Sequence, residues 1–323
     1  MFNALIEKLK ANPKTIVFTE GPDARILEAT ARIKAEGIMK VILVGKISEV
    51  EAAAKKGGFD IEGIEILDPE TYAGMDAMVE KMVELRKGKM TPEQCKANLL
   101  KGNYFGTMLV KTGKADCLLG GATYSTADTV RPALQLIKTK PGNSIVSSCF
   151  IMVRDNADGT QEKLAMGDCA INIHPTEDNL VEIAQETAKC AETFGIDPKV
   201  AFLSFSTKGS AKDDEVTKVQ NAVAKAKEVM TVPVDGEMQF DAAVAPEVGQ
   251  LKFPGSAVAG QANTFIFPDV TAGNIGYKIA ARLGGFAAYG PILLGLNAPI
   301  NDLSRGCNAD EVYKMAIITA GLA

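Results

Sequence analysis

The chain has 323 residues, of which 46% are hydrophobic, so it is long enough for two ordinary domains with cores of their own. Its 35 basic and 40 acidic residues give a formal net charge of −5, which argues against a general electrostatic surface for nucleic acid or membranes. The first apolar stretch, 16–18, is too short for a secretory signal, and no apolar run approaches a membrane span in length. We therefore expect a cytoplasmic protein in which local arginines bind any anionic ligand.

The apolar runs of the first half alternate with helix-like stretches. The four runs are 15–18, 41–44, 64–67 and 116–119. Each is short, is rich in β-branched residues or leucine, and leads into a helical pattern, which predicts a parallel sheet. Helix starts are predicted at Asp68-Pro69 and at the capping box 91–94, and helix ends at Gly37, Gly57 and Gly113.

The pattern changes in the middle of the chain. Two strand-like runs, 144–153 and 162–169, are joined by 154–160, RDNADGT, whose Asn, Asp and Gly favour a turn. This predicts a β-hairpin and a domain boundary near residue 143. The alternation then resumes with a helix near 176–194, a strand at 201–205 and a lysine-rich helix near 211–229.

The cysteines and the single histidine make a metal site or a disulfide framework improbable. The six cysteines are scattered without a Cys-x-x-Cys pair, and we expect them to be buried and free in a reducing compartment. Cys307 lies inside a polar turn, where a direct role and a packing role are both open. His174 precedes Pro175 and is interpreted as a turn residue before a helix, so any general base is expected to be a carboxylate.

Two familiar nucleotide-binding motifs are incomplete. Residues 255–260 have the glycine spacing of a P-loop, but Gln261 replaces the lysine. The turn after the first strand, 20–23, contains no Gly-x-Gly-x-x-Gly motif, so the usual dinucleotide fingerprint is missing.

The segment 301–311, NDLSRGCNADE, combines groups that bind anions with groups that accept protons. Ser304 and Arg305 are in a polar turn after the apolar run 292–296, and a hydroxyl beside a guanidinium suits an anion. Three carboxylates are candidate proton acceptors: Asp302, Asp310 and Glu311. One short segment thus offers most of what acyl or phosphoryl transfer needs.

Further arginines follow predicted strands. Arg25 follows the first strand, and Arg131 follows the fourth through 120–126, a loop of small residues that lets backbone amides approach a phosphate. For both, the alternative is a solvated cation near a helix start. Arg86 is at a helix end, where it either binds a ligand or complements the helix dipole.

The sequence resembles the phosphate acetyltransferases over essentially its whole length. The matching segments are 18–25 (FTEGPDAR), 120–133 (GGATYSTADTVRPA) and 299–307 (PINDLSRGC). The resemblance implies reversible acetyl transfer between coenzyme A and phosphate, which are substrates, without a metal or redox cofactor. Phosphate butyryltransferases are the nearest alternative.

The resemblance also implies an architecture. The fold would be α/β, with two doubly wound three-layer α/β/α domains similar to those of isocitrate and isopropylmalate dehydrogenases. One domain would comprise 1–143 plus 296–323 and carry the Ser-Arg turn, and the other, 144–295, would carry the hairpin. The active site would lie in the cleft between them, and the family is usually a homodimer.

Roles for individual residues follow from the resemblance. Ser304 would stabilise the oxyanion and Arg305 would bind the phosphate. Arg25, Arg86 and Arg131 would bind coenzyme A or phosphate. The family's proton acceptor is an aspartate seven residues after the serine, where this chain has Glu311 preceded by Asp310. Either carboxylate is a candidate, with Asp302 next, although Glu311 also completes a capping box with Asn308.

Two other classes of function remain in competition. A metal-dependent, NAD(P)-linked hydroxyacid dehydrogenase would need clustered aspartates and a Tyr–Lys pair, and Asp235 and Asp241 do not form such a pattern. A noncatalytic module would use the same arginines to bind coenzyme A or a nucleotide without turnover. For an acetyltransferase we expect thioester formation from acetyl phosphate and coenzyme A without added metal, and no reaction of NAD or NADP with isocitrate. Binding without turnover would favour the module.

Overall fold

The computed structural model describes residues 2–323, which form two compact units. The first unit extends to Pro141 and also includes Leu296–Ala323, and the second is Gly142–Gly295. Both are mixed α/β, so the predicted α/β class is confirmed. Among residues 2–323, no helix is both long enough and apolar enough to cross a membrane.

The first unit contains a five-stranded parallel sheet. Its strands are β1 (Thr15–Phe18), β2 (Lys40–Val44), β3 (Glu65–Leu67), β4 (Cys117–Gly120) and β11 (Ile300–Asp302), in the order β11-β4-β1-β2-β3. The four strands predicted in the first half are confirmed to within one residue at each end.

Helices cover both faces of this sheet. They are α1 (Phe2–Ala11), α2 (Ala24–Glu36), α3 (Ile47–Gly57), α4 (Met75–Arg86), α5 (Pro92–Leu99), α6 (Gly102–Lys111), α7 (Thr126–Pro132) and α13 (Ala309–Gly321), with a π-helical turn at Ala133–Ile137. Ile16, Val17 and Phe18 are all fully buried, which requires cover on both sides of the central strand. Val17 packs in a cluster with residues of α4, α5 and α6, and α13 contacts α2, β1 and β4.

The second unit is built on a six-stranded mixed sheet. Its strands are β5 (Ser147–Asp155), β6 (Gln161–Gly167), β7 (Val200–Leu203), β8 (Val234–Met238), β9 (Thr264–Ile266) and β10 (Ala287–Leu294), in the order β10-β5-β6-β9-β7-β8. Its helices are α8 (Glu177–Thr193), α9 (Asp214–Val229), α10 (Phe240–Val244), α11 (Pro246–Lys252) and α12 (Val270–Arg282). The predicted hairpin is confirmed as the antiparallel pair β5 and β6.

Two predictions about elements are wrong. Asp68-Pro69 does not begin a helix, because the Asp68 carboxylate accepts the amide of Glu70 in a local turn and α4 begins at Met75. The apolar run 292–296 does not lead into the Ser-Arg turn, because most of it belongs to β10 of the second unit. The strand before the turn is β11, which was missed because two of its three residues, Asn301 and Asp302, are polar.

Several local predictions are confirmed. Thr91 and Gln94 form the expected capping box, and so do Asn308 and Glu311. All six cysteines lie among the described residues and are buried and unpaired.

Candidate active site

The three motifs singled out in the sequence follow three neighbouring strands. Strands β11, β4 and β1 are adjacent and parallel, so the segments that follow them all begin at the edge of the sheet formed by the carboxyl ends of the strands. The chain passes from β1 to β2 on one side of β1, whereas β4 lies on the other side. This edge is therefore a topological switch point, where open parallel sheets bind their ligands.

The Ser-Arg turn, Ser304–Cys307, is exposed at its tip. The Cys307 amide donates to the Ser304 carbonyl at 2.9 Å, and the Gly306 amide donates to Ser304 Oγ at 3.3 Å. Because Oγ accepts this bond, the hydroxyl proton of Ser304 remains free to be donated. Among residues 2–323 the exposed guanidinium of Arg305 has no hydrogen-bond or ion-pair partner, so it is available to an anion.

Arg25 reaches the same turn, but through the backbone. Its guanidinium forms a fork with both carboxylate oxygens of Asp23, at 3.0 and 2.8 Å. It also donates to the carbonyl oxygens of Ala122 at 2.9 Å, Arg305 at 2.9 Å and Cys307 at 3.1 Å. The structure thus brings Arg25 and Arg305 together.

A buried carboxylate organises the loop after β4. Glu20 accepts hydrogen bonds from the Gly121 amide at 3.0 Å and from the Thr123 amide and hydroxyl at 2.6 and 2.9 Å. Burial raises the pKa of Glu20, and the hydrogen bonds from Thr123, Thr19 and Gly121 oppose that rise. The loop amides of Gly121 and Thr123 therefore satisfy Glu20 instead of approaching a phosphate as expected, because a buried carboxylate needs partners.

Asp302 fixes the other side of this loop. Its two oxygens accept hydrogen bonds from the hydroxyls of Thr126 and Thr129 at 2.6 and 2.5 Å, which attaches α7 to β11. Burial raises the pKa of Asp302, against the lowering effect of these two bonds. Since both oxygens are engaged in the interior, Asp302 is poorly placed to receive a substrate proton.

Asp310 and Glu311 lie in the first turn of α13 and have different partners. Asp310 pairs with Arg32 at 3.1 Å and with Lys314 at 2.6 Å. The hydrogen bond from Lys314 lowers the pKa of Asp310, and Arg32 adds to this effect. The exposed Glu311 accepts the Asn308 amide at 3.1 Å, as the capping interpretation predicted.

Arg86 and Arg131 lie near Tyr104 rather than in the Ser-Arg turn. Burial raises the pKa of the Tyr104 phenol, and the charges of Arg131 and Arg86 partly oppose that rise. Arg131 pairs with Asp128 at 3.2 Å. Arg86 donates to the Gln135 carbonyl at 3.5 Å, while its buried Nε has no partner. The two arginines thus form a second basic group in the same unit.

Cys307 and His174 have the structural roles that the sequence also allowed. Cys307 is buried, and burial raises the pKa of its thiol, which favours the packing role. His174 is exposed, two residues before Thr176, the N-cap of α8. Asp235 and Asp241 form separate ion pairs, with Lys227 at 2.7 Å and Lys252 at 2.8 Å.

Sequence reasoning missed the residues that support the site. The motifs contain four residues to which the sequence analysis assigned no role: Glu20, Asp23, Thr126 and Thr129. A signal was available for Glu20, because an acidic residue one position beyond a buried strand either faces a ligand or needs internal donors.

Comparisons with known proteins give a consistent result. The family model for phosphate acetyl/butaryl transferase matches residues 1–320. A phosphate acetyltransferase of Bacillus subtilis (strain 168) is 53% identical over 324 residues, covering 100% of this chain and 99% of that protein. A solved phosphotransacetylase from Streptococcus pyogenes is 54% identical with a TM-score of 0.96, covering 99% of this chain and 97% of that one. The EutD phosphotransacetylase from Staphylococcus aureus is 50% identical with a TM-score of 0.92, at the same coverage. The chain therefore belongs to the phosphate acetyl/butyryl transferase family.

Proposed function

We propose that this chain is a phosphate acetyltransferase, which transfers acetyl reversibly between coenzyme A and inorganic phosphate in a ternary complex. The observation that carries the proposal is the exposed pair of Ser304 and Arg305 on a turn held at the switch point of the sheet. The acetyltransferase names of relatives about 50% identical over the full chain support acetyl as the group transferred.

In the proposed reaction, the carboxylate of Glu311 takes the proton from the thiol of coenzyme A. The thiolate attacks the carbonyl carbon of acetyl phosphate, a carbon–sulfur bond forms, and the carbon–oxygen bond to phosphate breaks. Ser304 donates its hydroxyl proton as a hydrogen bond to the tetrahedral oxyanion, and Arg305 binds the departing phosphate. No atom changes oxidation state, so the reaction balances without a redox cofactor. In this proposal Ser304 and Arg305 stabilise the developing negative charge, and no metal takes part.

We assign the negatively charged groups of coenzyme A to the second basic group, Arg86 and Arg131. Arg131 pairs with a single half-buried carboxylate, that of Asp128, and Arg86 has a buried nitrogen without a partner. Both guanidinium groups therefore keep N–H donors without a partner among residues 2–323, which supports a role in ligand binding.

We also propose a cytoplasmic homodimer. Six buried, unpaired cysteines support a reducing compartment. The stripe Ile275, Ile279 and Leu283, spaced four residues apart at α12, supports self-association, since these side chains are 55%, 53% and 84% exposed. The occupant we propose for this α12 stripe is a second copy of the chain.

The test is an absorbance assay for thioester formation from acetyl phosphate and coenzyme A, in the presence of a metal chelator. We expect turnover, and we expect Arg305→Gln to lower kcat/KM by about 10²–10³-fold, the usual cost of one charge-stabilising donor. Arg154→Gln, a control in the second unit, should keep wild-type activity. Binding of coenzyme A without turnover, or turnover of butyryl phosphate alone, would overturn the proposal.

A further inference from the structure

Arg25 has no donor left for a substrate. A guanidinium carries five N–H groups. Here Nε and one N–H of Nη2 bind Asp23, the second N–H of Nη2 binds the Ala122 carbonyl, and Nη1 binds the carbonyls of Arg305 and Cys307. A phosphate could reach Arg25 only if one of these contacts were broken.

The partners of Arg25 belong to segments that follow three adjacent strands. Asp23 and Arg25 follow β1, Ala122 follows β4, and Arg305 and Cys307 follow β11. One side chain therefore links the backbone at all three positions. It binds the carbonyl of Arg305 itself, so it fixes the peptide unit beside the side chains that the proposed reaction uses.

The charge of Arg25 is also neutralised locally. The fork with Asp23 lowers the pKa of that carboxyl and raises the pKa of the guanidinium, so both groups stay ionised near neutral pH. The ion pair offers no net charge to an anionic substrate. Arg305 differs, since within residues 2–323 its guanidinium has no partner.

From this geometry we infer that Arg25 is a positioning residue, which holds the Ser304–Cys307 turn in its reactive conformation and does not bind coenzyme A or phosphate. The inference rests on the proposed acetyltransferase function. Displacement of Ser304 and Arg305 would affect the chemical step more than substrate binding, because misplacement by about 1 Å can reduce a rate about 10²-fold.

The experiment separates kcat from KM in Arg25→Gln and Asp23→Ser. The second variant removes the fork, while serine can still accept the Arg25 amide that Asp23 now accepts at 2.9 Å as N-cap of α2. We expect each variant to lower kcat by about 10²-fold while the KM values for coenzyme A and phosphate stay close to wild type. The double variant should be no slower than either single variant, because both substitutions disrupt the same Asp23–Arg25 ion pair.

Controls make the outcomes distinct. Asp213→Ser changes the N-cap of α9 in the second unit and should keep full activity. Arg25→Lys should stay as slow as Arg25→Gln, since an ammonium group cannot form the fork. A salt-dependent rise in KM for coenzyme A at unchanged kcat, or full activity in Asp23→Ser or Arg25→Lys, would overturn the inference. An inactive wild-type chain would instead remove the proposed function, and this inference with it.

Discussion

Two adjacent carboxylates at the start of α13 differ in how well they can act as a base. Asp310 is stabilised in its ionised form by Lys314 and Arg32, so its pKa is lowered and it accepts a proton poorly. Glu311 has no cationic partner among residues 2–323, and its carboxylate contacts the backbone amide of Asn308. On these contacts Glu311 is the better proton acceptor.

The ion pairs of Asp310 predict a pH-dependent contribution to stability. Because the pKa is lowered on folding, the contribution is present above the ordinary value of 3.8 and is lost as the pH falls through the native pKa. We expect Asp310→Asn to lower the free energy of unfolding by about 0.2–1 kcal/mol at neutral pH, since the groups are half-exposed. Urea unfolding at a series of pH values should show the difference shrinking toward acid pH, and a difference that grows there would contradict this account.

The supporting contacts of the site could not be predicted because their partners are distant in the sequence. Glu20 and Thr123 are 103 positions apart, and Thr129 and Asp302 are 173 apart. Ser304, Arg305 and Arg25 could be singled out, because each belongs to a short motif next to a predicted strand. The motif did not reveal that every N–H group of the Arg25 guanidinium would be hydrogen-bonded within the chain.

At the scale of elements, a complete capping box located a helix start better than an Asp-Pro pair did, although Pro92 also begins α5. The capping box at Thr91 and Gln94 is present, because both side chains satisfy backbone amides within the same turn. The Asp68-Pro69 pair resembles a helix start in sequence. However, the Asp68 carboxylate accepts a hydrogen bond from the Glu70 amide in a local turn, and no helix begins there. Strand β11 shows a further limit of apolar patterns, since its polar residues are buried by contacts with α7 and α13.

The loop between β4 and α7 requires glycine at position 121. Gly121 has a φ of +100°, and a Cβ there would overlap Asp302 Oδ1. We expect Gly121→Ala to destabilise the first unit and to reduce acetyl transfer strongly, because Asp302 would have to move. Gly113→Ala is the matched control, with a φ of +78° and open space around the new Cβ.

The two variants are compared by thermal unfolding and by the thioester assay. Gly113→Ala should cost about 1 kcal/mol of stability from its backbone conformation, with activity retained. Equal losses of activity in both variants would mean that the contact with Asp302 is unimportant.

At the scale of the whole molecule, alternation of strands and helices was enough to predict the α/β class, and the turn residues of 154–160 predicted the hairpin. It did not predict that β11 and α13 join the first unit, because that requires a contact between β11 and β4 across about half of the chain. That expectation came from the family resemblance, not from a local pattern.

The α12 stripe predicts the behaviour of the molecule in solution. We expect wild-type chain to sediment as a dimer and Ile279→Asp to sediment as a monomer, because a charge in an apolar interface lacks a partner. Leu251→Asp is the control, since Leu251 is 80% exposed on α11, outside the stripe. A dimeric Ile279→Asp variant would exclude the stripe as the interface.

The most direct test of the account is the single-turnover rate of acetyl transfer from acetyl phosphate to coenzyme A in Glu311→Gln, with Asp310→Asn as its neighbour control. We predict that Glu311→Gln loses about 10²–10⁴-fold, the usual contribution of a positioned general base, whereas Asp310→Asn stays near the wild-type rate. A wild-type rate in Glu311→Gln, or a comparable loss in Asp310→Asn alone, would contradict the assignment.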